Sequence, residues 1–241
     1  MKKKEYCGIV ILCSLLYMFC LFHFWGISLK PDGGRQGNMQ EVAGETAEGK
    51  DAFTEGEAPK IAITFDDGPS AHCTGRLLDG LKERGIKGTF FLIGENAEKN
   101  PELVRRLHEE GHLIGNHTYS HVEITRLSDE EAKKEITETD RIISSITGEH
   151  VEYMRPPFGL WQDNLEEELD VMPVMWSVDP LDWTTKNVEE IVNKVVTETD
   201  ENDIILLHDC YDSSVDAALR IVDILKKKGF EFVTVDELLM D

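Results

Sequence analysis

The chain has 241 residues, 47 Asp and Glu against 25 Lys and Arg, and a formal net charge of −22. That length holds one large α/β domain with accessory segments. The charge argues against a nucleic-acid partner, because phosphate-backbone binders carry basic patches. A neutral glycan, a peptide or a small molecule all stay open as ligands, and the acidity suits an exposed, soluble ectodomain.

Residues 1–6 include Lys2, Lys3 and Lys4 and are expected to be cytoplasmic. Cys7 to Leu29 is almost wholly apolar, interrupted mainly by Tyr17 and His23. That length spans a bilayer, so residues 7–29 are expected to form a single transmembrane helix. The lysines keep the amino terminus in the cytosol, which puts the remainder outside the cell membrane. The alternative is a cleaved signal peptide and a secreted form, but this needs a shorter apolar run and a small-residue cut site. Residues 30–58 are rich in Gly, Glu, Asp and Thr and read as a flexible stalk. The folded domain is expected over 59–241. Cys73 and Cys210 are its two cysteines. If both loops ring one mouth they can form an extracellular disulfide; otherwise they are free thiols.

Ile61 to Phe65 alternates in the manner of a buried strand and is stopped by Gly68-Pro69. Asp66 and Asp67 therefore stand together at its C-terminal mouth. Such a pair repels itself unless a cation lies nearby, which points to one acid holding a metal and the other moving protons. Two solvated acids in an Asp-Gly turn are the plainer alternative. Helices are expected at Thr74 to Arg84, Pro101 to Glu110, Asp129 to Ile146 (capped by Ser128, stopped by Gly148), Gln162 to Leu169, Val188 to Thr199 and Val215 to Lys228. Strands are expected at Thr89 to Ile93, His112 to Gly115, Glu152 to Met154, Val171 to Val178, Asp203 to Leu207 and Phe230 to Val235, with a short helix after the last. This alternation implies about seven parallel strands with helical crossovers, in a barrel or a doubly wound sheet. In both, function gathers at the C-terminal strand ends.

Four more motifs fall at such ends. His117-Thr118-Tyr119-Ser120-His121 sets two imidazoles four apart, on one face of a helical turn, close enough to share a cation. Arg155-Pro156-Pro157-Phe158-Gly159 offers a cation that can keep a buried acid ionised. Asp179-Pro180-Leu181-Asp182-Trp183 offers a flat aromatic wall suited to a sugar ring. Leu206-Leu207-His208 ends in a candidate general acid, whose pKa a carboxylate such as Asp182 would raise.

The five motifs in this order resemble those of the polysaccharide deacetylases, carbohydrate esterase family 4 with its NodB homology domain; the resemblance runs from about Pro59 to Leu239. It implies a distorted (β/α) barrel and a divalent metal, usually zinc, with cobalt, nickel or manganese as alternatives. It makes Asp67, His117 and His121 the metal ligands, Asp66 the general base, Arg155 its partner, and His208 the general acid with Asp182 behind it. Trp183 and Leu206 would line an acetyl pocket. The aromatic position of the third motif, more often Tyr, is Phe158, whose backbone N–H would serve the oxyanion. The implied activity is removal of N-acetyl groups from a glycan; the expected anchor and stalk would set the domain, expected to be a monomer, beside the wall, which makes peptidoglycan the expected substrate. The rivals are a chitooligosaccharide deacetylase, an O-acetyl esterase, a glycosidase and a non-catalytic glycan-binding module.

Overall fold

A computed structural model describes residues 58–240, apart from 163, 164, 166 and 167. The expected tail at 1–6, the anchor at 7–29 and all but the last residue of the stalk lie outside the described residues. Among the described residues no helix is long and apolar enough to cross a membrane. The elements run β1 (Lys60–Asp66), α1 (Thr74–Arg84), β2 (Thr89–Leu92), α2 (Gly94–Lys99), α3 (Pro101–Glu109), β3 (Leu113–Asn116), α4 (Asp129–Thr147), β4 (Tyr153–Met154), β5 (Met172–Pro173), α5 (Val188–Glu198), β6 (Ile204–His208), α6 (Asp212–Lys227), β7 (Glu231–Val233) and α7 (Val235–Met240).

Every pairing between these strands is parallel. The sheet order is β5-β4-β3-β2-β1-β6, with β7 joined to the start of β1. Crossovers, most of them helical, return the strands in the same direction, so the C-terminal ends share one rim. β1 is buried nearly throughout because the parallel sheet is covered on both faces. Ile61, Ile63 and Phe65 point one way, into the main core with Leu77, Leu78 and Leu81 of α1 and Ile205 and Leu207 of β6. Period two then sends Ala62, Thr64 and Asp66 to the opposite, inner face. An acid at the last of these positions is thus built into the inside of the sheet by the strand pattern itself.

The strand expected over 171–178 is divided. Met172–Pro173 pairs with β4, and Val178 bridges to Ile205 of β6. The carbonyls of Val174 and Met175, between the two pieces, accept hydrogen bonds from the Arg155 guanidinium instead of from a neighbouring strand. This segment carries the chain from one edge of the sheet to the other, which makes the sheet a curled, irregular half-barrel. Half of the helix expected over 162–169 lies outside the described residues. α4 begins as its sequence implies: Ser128 and Glu131 form a reciprocal capping box, worth about 1 kcal/mol. α2 was not expected. Cys73 and Cys210 are free thiols, Cys73 buried.

Candidate active site

The inner face of β1 meets Arg155, which is fully buried. Its Nη1 donates to Asp66 Oδ1 at 2.8 Å and to Thr64 Oγ1 at 2.7 Å. Thr64 passes its own hydroxyl proton to the Ile205 carbonyl. The guanidinium lies 4.2 Å from the centroid of the Phe91 ring. Gly115 makes room for that ring, since a β-carbon there would sit 2.4 Å from Phe91 Cδ1. Burial pulls the Arg155 pKa down, and the Asp66 carboxylate opposes it. The pair is therefore a desolvated ion pair with its remaining donors satisfied, the arrangement that a buried charge requires.

The strand ends at Asp66, and Asp67 turns with a left-handed backbone, φ 71°. This turn is what allows two consecutive acids to face one cavity. His117 and His121 do not share a helical turn, contrary to their spacing. They lie in the loop after β3, where Thr118 and His121 both take left-handed φ of 61° and 55°. The loop is held by α2: the backbone N–H groups of Gly94 and Glu95 donate to the carbonyls of Thr118 and Tyr119 at 2.9 Å each. Asn96 of the same helix donates to the Asp67 carbonyl at 2.8 Å. One short helix thus fixes both loops.

His117 Nδ1 lies 2.6 Å from the Arg155 carbonyl. A carbonyl can only accept, so Nδ1 carries the proton and Nε2 presents its lone pair. That lone pair faces acceptors: Asp67 Oδ1 at 3.5 Å and Asp66 Oδ2 at 3.8 Å. His121 Nε2 stands 3.3 Å from the same Asp67 Oδ1. Asp67 Oδ1 is buried without a hydrogen-bond partner. Three ligand atoms thus converge within 4.8 Å of one another. Zinc bonds of about 2.0–2.2 Å place tetrahedral donors about 3.4 Å apart, so the spacings fit a shared cation. Burial raises the Asp67 pKa, but His117, His208 and His121 outweigh it and leave the acid below its ordinary range. Burial lowers the His121 pKa, which favours the neutral imidazole that can ligate.

Across the cavity, β6 pairs with β1 so that His208 lies opposite Asp66. His208 Nδ1 bonds Asp182 Oδ1 at 2.8 Å, and its backbone N–H donates to Asp182 Oδ2 at 2.9 Å. Asp182 is buried. Burial disfavours the charged ring, but Asp182, with help from Asp66 and Asp67, raises its pKa from 6.5 to about 9. Because the folded value is the higher one, the stabilisation is fully present below about pH 6.5 and is lost as pH rises through about 9.

These groups line a cleft of about 420 Å³ whose walls include Phe158, Trp183 and Leu206. Trp183 is exposed, 58% of its surface, so it is a wall of the cleft and does not pack beneath its loop. All the site residues expected from sequence come together on this rim. Three that sequence reasoning missed join them. Thr64, two residues before Asp66 on the same strand face, shares Arg155. Trp176 lines the cleft and packs over Arg155, with 5.6 Å to the ring centroid. Asp209, directly after His208, is wholly buried. Only the position of Thr64 in the alternating strand could have signalled its role beforehand.

A family model described as polysaccharide deacetylase matches residues 54–174, half of the chain. A Bacillus cereus protein named peptidoglycan-N-acetylglucosamine deacetylase is 40% identical over 186 residues, covering 74% of this chain and 68% of that protein. The Bacillus subtilis peptidoglycan-N-acetylmuramic acid deacetylase PdaC is 40% identical over 178 residues, 74% of this chain and 38% of that longer protein. The solved PdaC structure aligns at a TM-score of 0.74 and 39% identity, over 76% of this chain and 91% of the solved one. A Rhizobium leguminosarum bv. trifolii protein named chitooligosaccharide deacetylase is 37% identical over 188 residues, 70% of this chain and 87% of that protein. Matched over half its length by the family model, and sharing its fold with PdaC, the chain belongs to the polysaccharide deacetylase family.

Proposed function

We propose that the folded domain removes N-acetyl groups from N-acetylglucosamine-type residues of a cell-wall glycan, peptidoglycan foremost, and releases acetate. The convergence of Asp67, His117 and His121 between an arginine-paired Asp66 and a cationic His208 supports this reading. The relatives, named as peptidoglycan and chitooligosaccharide deacetylases, support the substrate class. Asp67, His117 and His121 would hold a divalent metal, zinc first. When bound, such a metal lowers the pKa of a water and polarises the acetyl carbonyl.

Asp66, held in place by Arg155, removes the proton of the attacking water. The C–O bond forms at the acetyl carbon, and the Phe158 backbone N–H is the proposed donor to the resulting oxyanion. The C–N bond then breaks, and His208 gives the leaving nitrogen its Nε2 proton. Trp183 and Leu206 enclose the methyl group. The apolar run at 7–29 and the stalk at 30–58 support a single-pass anchor that sets a monomeric domain outside the membrane, beside the wall.

Mass spectrometry of wall fragments and chitin oligomers treated with the full chain tests the proposal. The expected result is loss of acetyl mass from wall fragments, blocked by chelator and restored by zinc. Acetate release from chitin oligomers alone would overturn the wall substrate. Release only from O-acetylated glycans would make the protein an esterase, and release indifferent to chelator would remove the metal from the mechanism.

The same assay yields a pH profile. His208 must be protonated to act as an acid, so kcat/KM should hold up to about pH 9 and fall beyond it. Asp182→Asn should pull that fall back towards the ordinary imidazole value of 6.5. An unmoved alkaline limb would show that another group delivers the proton.

A further inference from the structure

One buried acid at this rim has no part in the chemistry above. Asp209 follows His208, and because β1 and β6 run in register, it lies beside the turn that follows Asp66 and Asp67. It is entirely buried, as is Thr74. Its Oδ2 accepts the hydroxyl proton of Thr74, and its Oδ1 is buried without a hydrogen-bond partner. The carboxyl is pressed against Gly68: a β-carbon there would lie 2.5 Å from Oδ1 and 2.6 Å from Oδ2. Gly68 does not adopt a left-handed backbone. It is glycine for room, and what occupies the room is Asp209.

Thr74 extends the connection. Its Oγ1 accepts from the Ser70 backbone N–H at 2.7 Å, and its own N–H donates to the Ser70 carbonyl at 3.1 Å. Gly68, in turn, gives its carbonyl to the Ile93 N–H at 3.0 Å. The loop that carries Asp67 is therefore closed on one side by Ile93, the residue after β2, and on the other by a hydroxyl committed to Asp209.

We infer that Asp209 is a positioning residue for the metal centre: its carboxyl, wedged between Gly68 and Thr74, sets where the Asp67 loop stands against the end of β6. This rests on the reading that Asp67 holds the metal. The charge state suits a spacer. A buried carboxylate with one donor and no cation in contact is costly, which shifts the group towards its neutral form. Burial raises the Asp209 pKa to about 7; Asp67 and Asp66 push it up, while Thr74 and His208 pull it down. Cys73 and Cys210 are the other ionisable groups that feel it. What the site then needs from residue 209 is its shape and an oxygen for Thr74, both of which asparagine supplies.

Zinc dissociation constants for the full chain, measured by competition with a chromophoric chelator, test this. Cobalt(II) absorption spectra report ligand geometry alongside. Asp209→Ala should weaken zinc binding about tenfold or more, as loss of a group that orients a ligand does. Asp209→Asn should stay within about threefold of wild type, since it keeps the shape and the acceptor. Thr74→Val, which deletes only the hydroxyl, and Gly68→Ala, which evicts the carboxyl, should both weaken binding and alter the cobalt spectrum. Wild-type affinity in Asp209→Ala overturns the inference. So does an Asp209→Asn variant as weak as Asp209→Ala, which would make charge the determinant. If Asp209→Ala does not fold, unchanged zinc affinity in both Thr74→Val and Gly68→Ala overturns it equally. A wild-type chain that binds no zinc would instead sink the proposed function, and this inference with it.

Discussion

Asp66→Asn should lower kcat by about 10²–10⁴, the usual contribution of a positioned general base, while zinc uptake stays intact. Asparagine has the same outline as aspartate, and its Oδ1 can still accept from Arg155 Nη1. It cannot take a proton from water. The three ligand atoms belong to Asp67, His117 and His121, so the cation site is left as it was. Turnover at saturating glycan, measured with the metal content of the same preparation, separates the two effects. A variant that keeps its zinc and stays within about threefold of wild-type turnover would remove Asp66 from the base role.

Arg155→Met should damage both stability and catalysis. Removing one member of a buried ion pair leaves the other uncompensated, at a cost of about 3–5 kcal/mol. Asp66 and the carbonyls of Val174 and Met175 all lose a donor in this variant. For a domain of this size the expected fall in Tm is about 6–20 °C. Without the guanidinium, the Asp66 carboxylate also loses the contact that aims it, so turnover falls along with stability. The double variant Asp66→Asn, Arg155→Met should be more stable than Arg155→Met alone, because it no longer buries an unpaired acid. Thermal melts of the four proteins complete the cycle. If Arg155→Met melts with wild type, the pair does not hold the fold.

Much of this arrangement could be read from residue order. The alternation of Ile61, Ile63 and Phe65 fixed the face on which Asp66 would lie, because side-chain period two follows from strand geometry alone. The five motifs each stood at a strand end, and the structure places them on one rim. What escaped was what depends on long-range contacts. α2 has six residues, and Gly94 and Ala97 are its buried ones, so it shows no amphipathic period. Yet it holds both ligand loops. The spacing of His117 and His121 fits a helical turn, but hydrogen bonds from Gly94 and Glu95 hold it in a loop. The division of 171–178 was equally hidden, since the guanidinium that claims its carbonyls arrives from almost twenty residues earlier in the chain.

Residue 155 touches the centre by two different handles. Its side chain grips Asp66, and its main-chain carbonyl orients His117. Any amino acid supplies a carbonyl, whereas only arginine supplies this guanidinium fork. An exchange of arginine here therefore strips Asp66 of its partner and leaves in place the carbonyl that turns His117 towards Asp67 and His121.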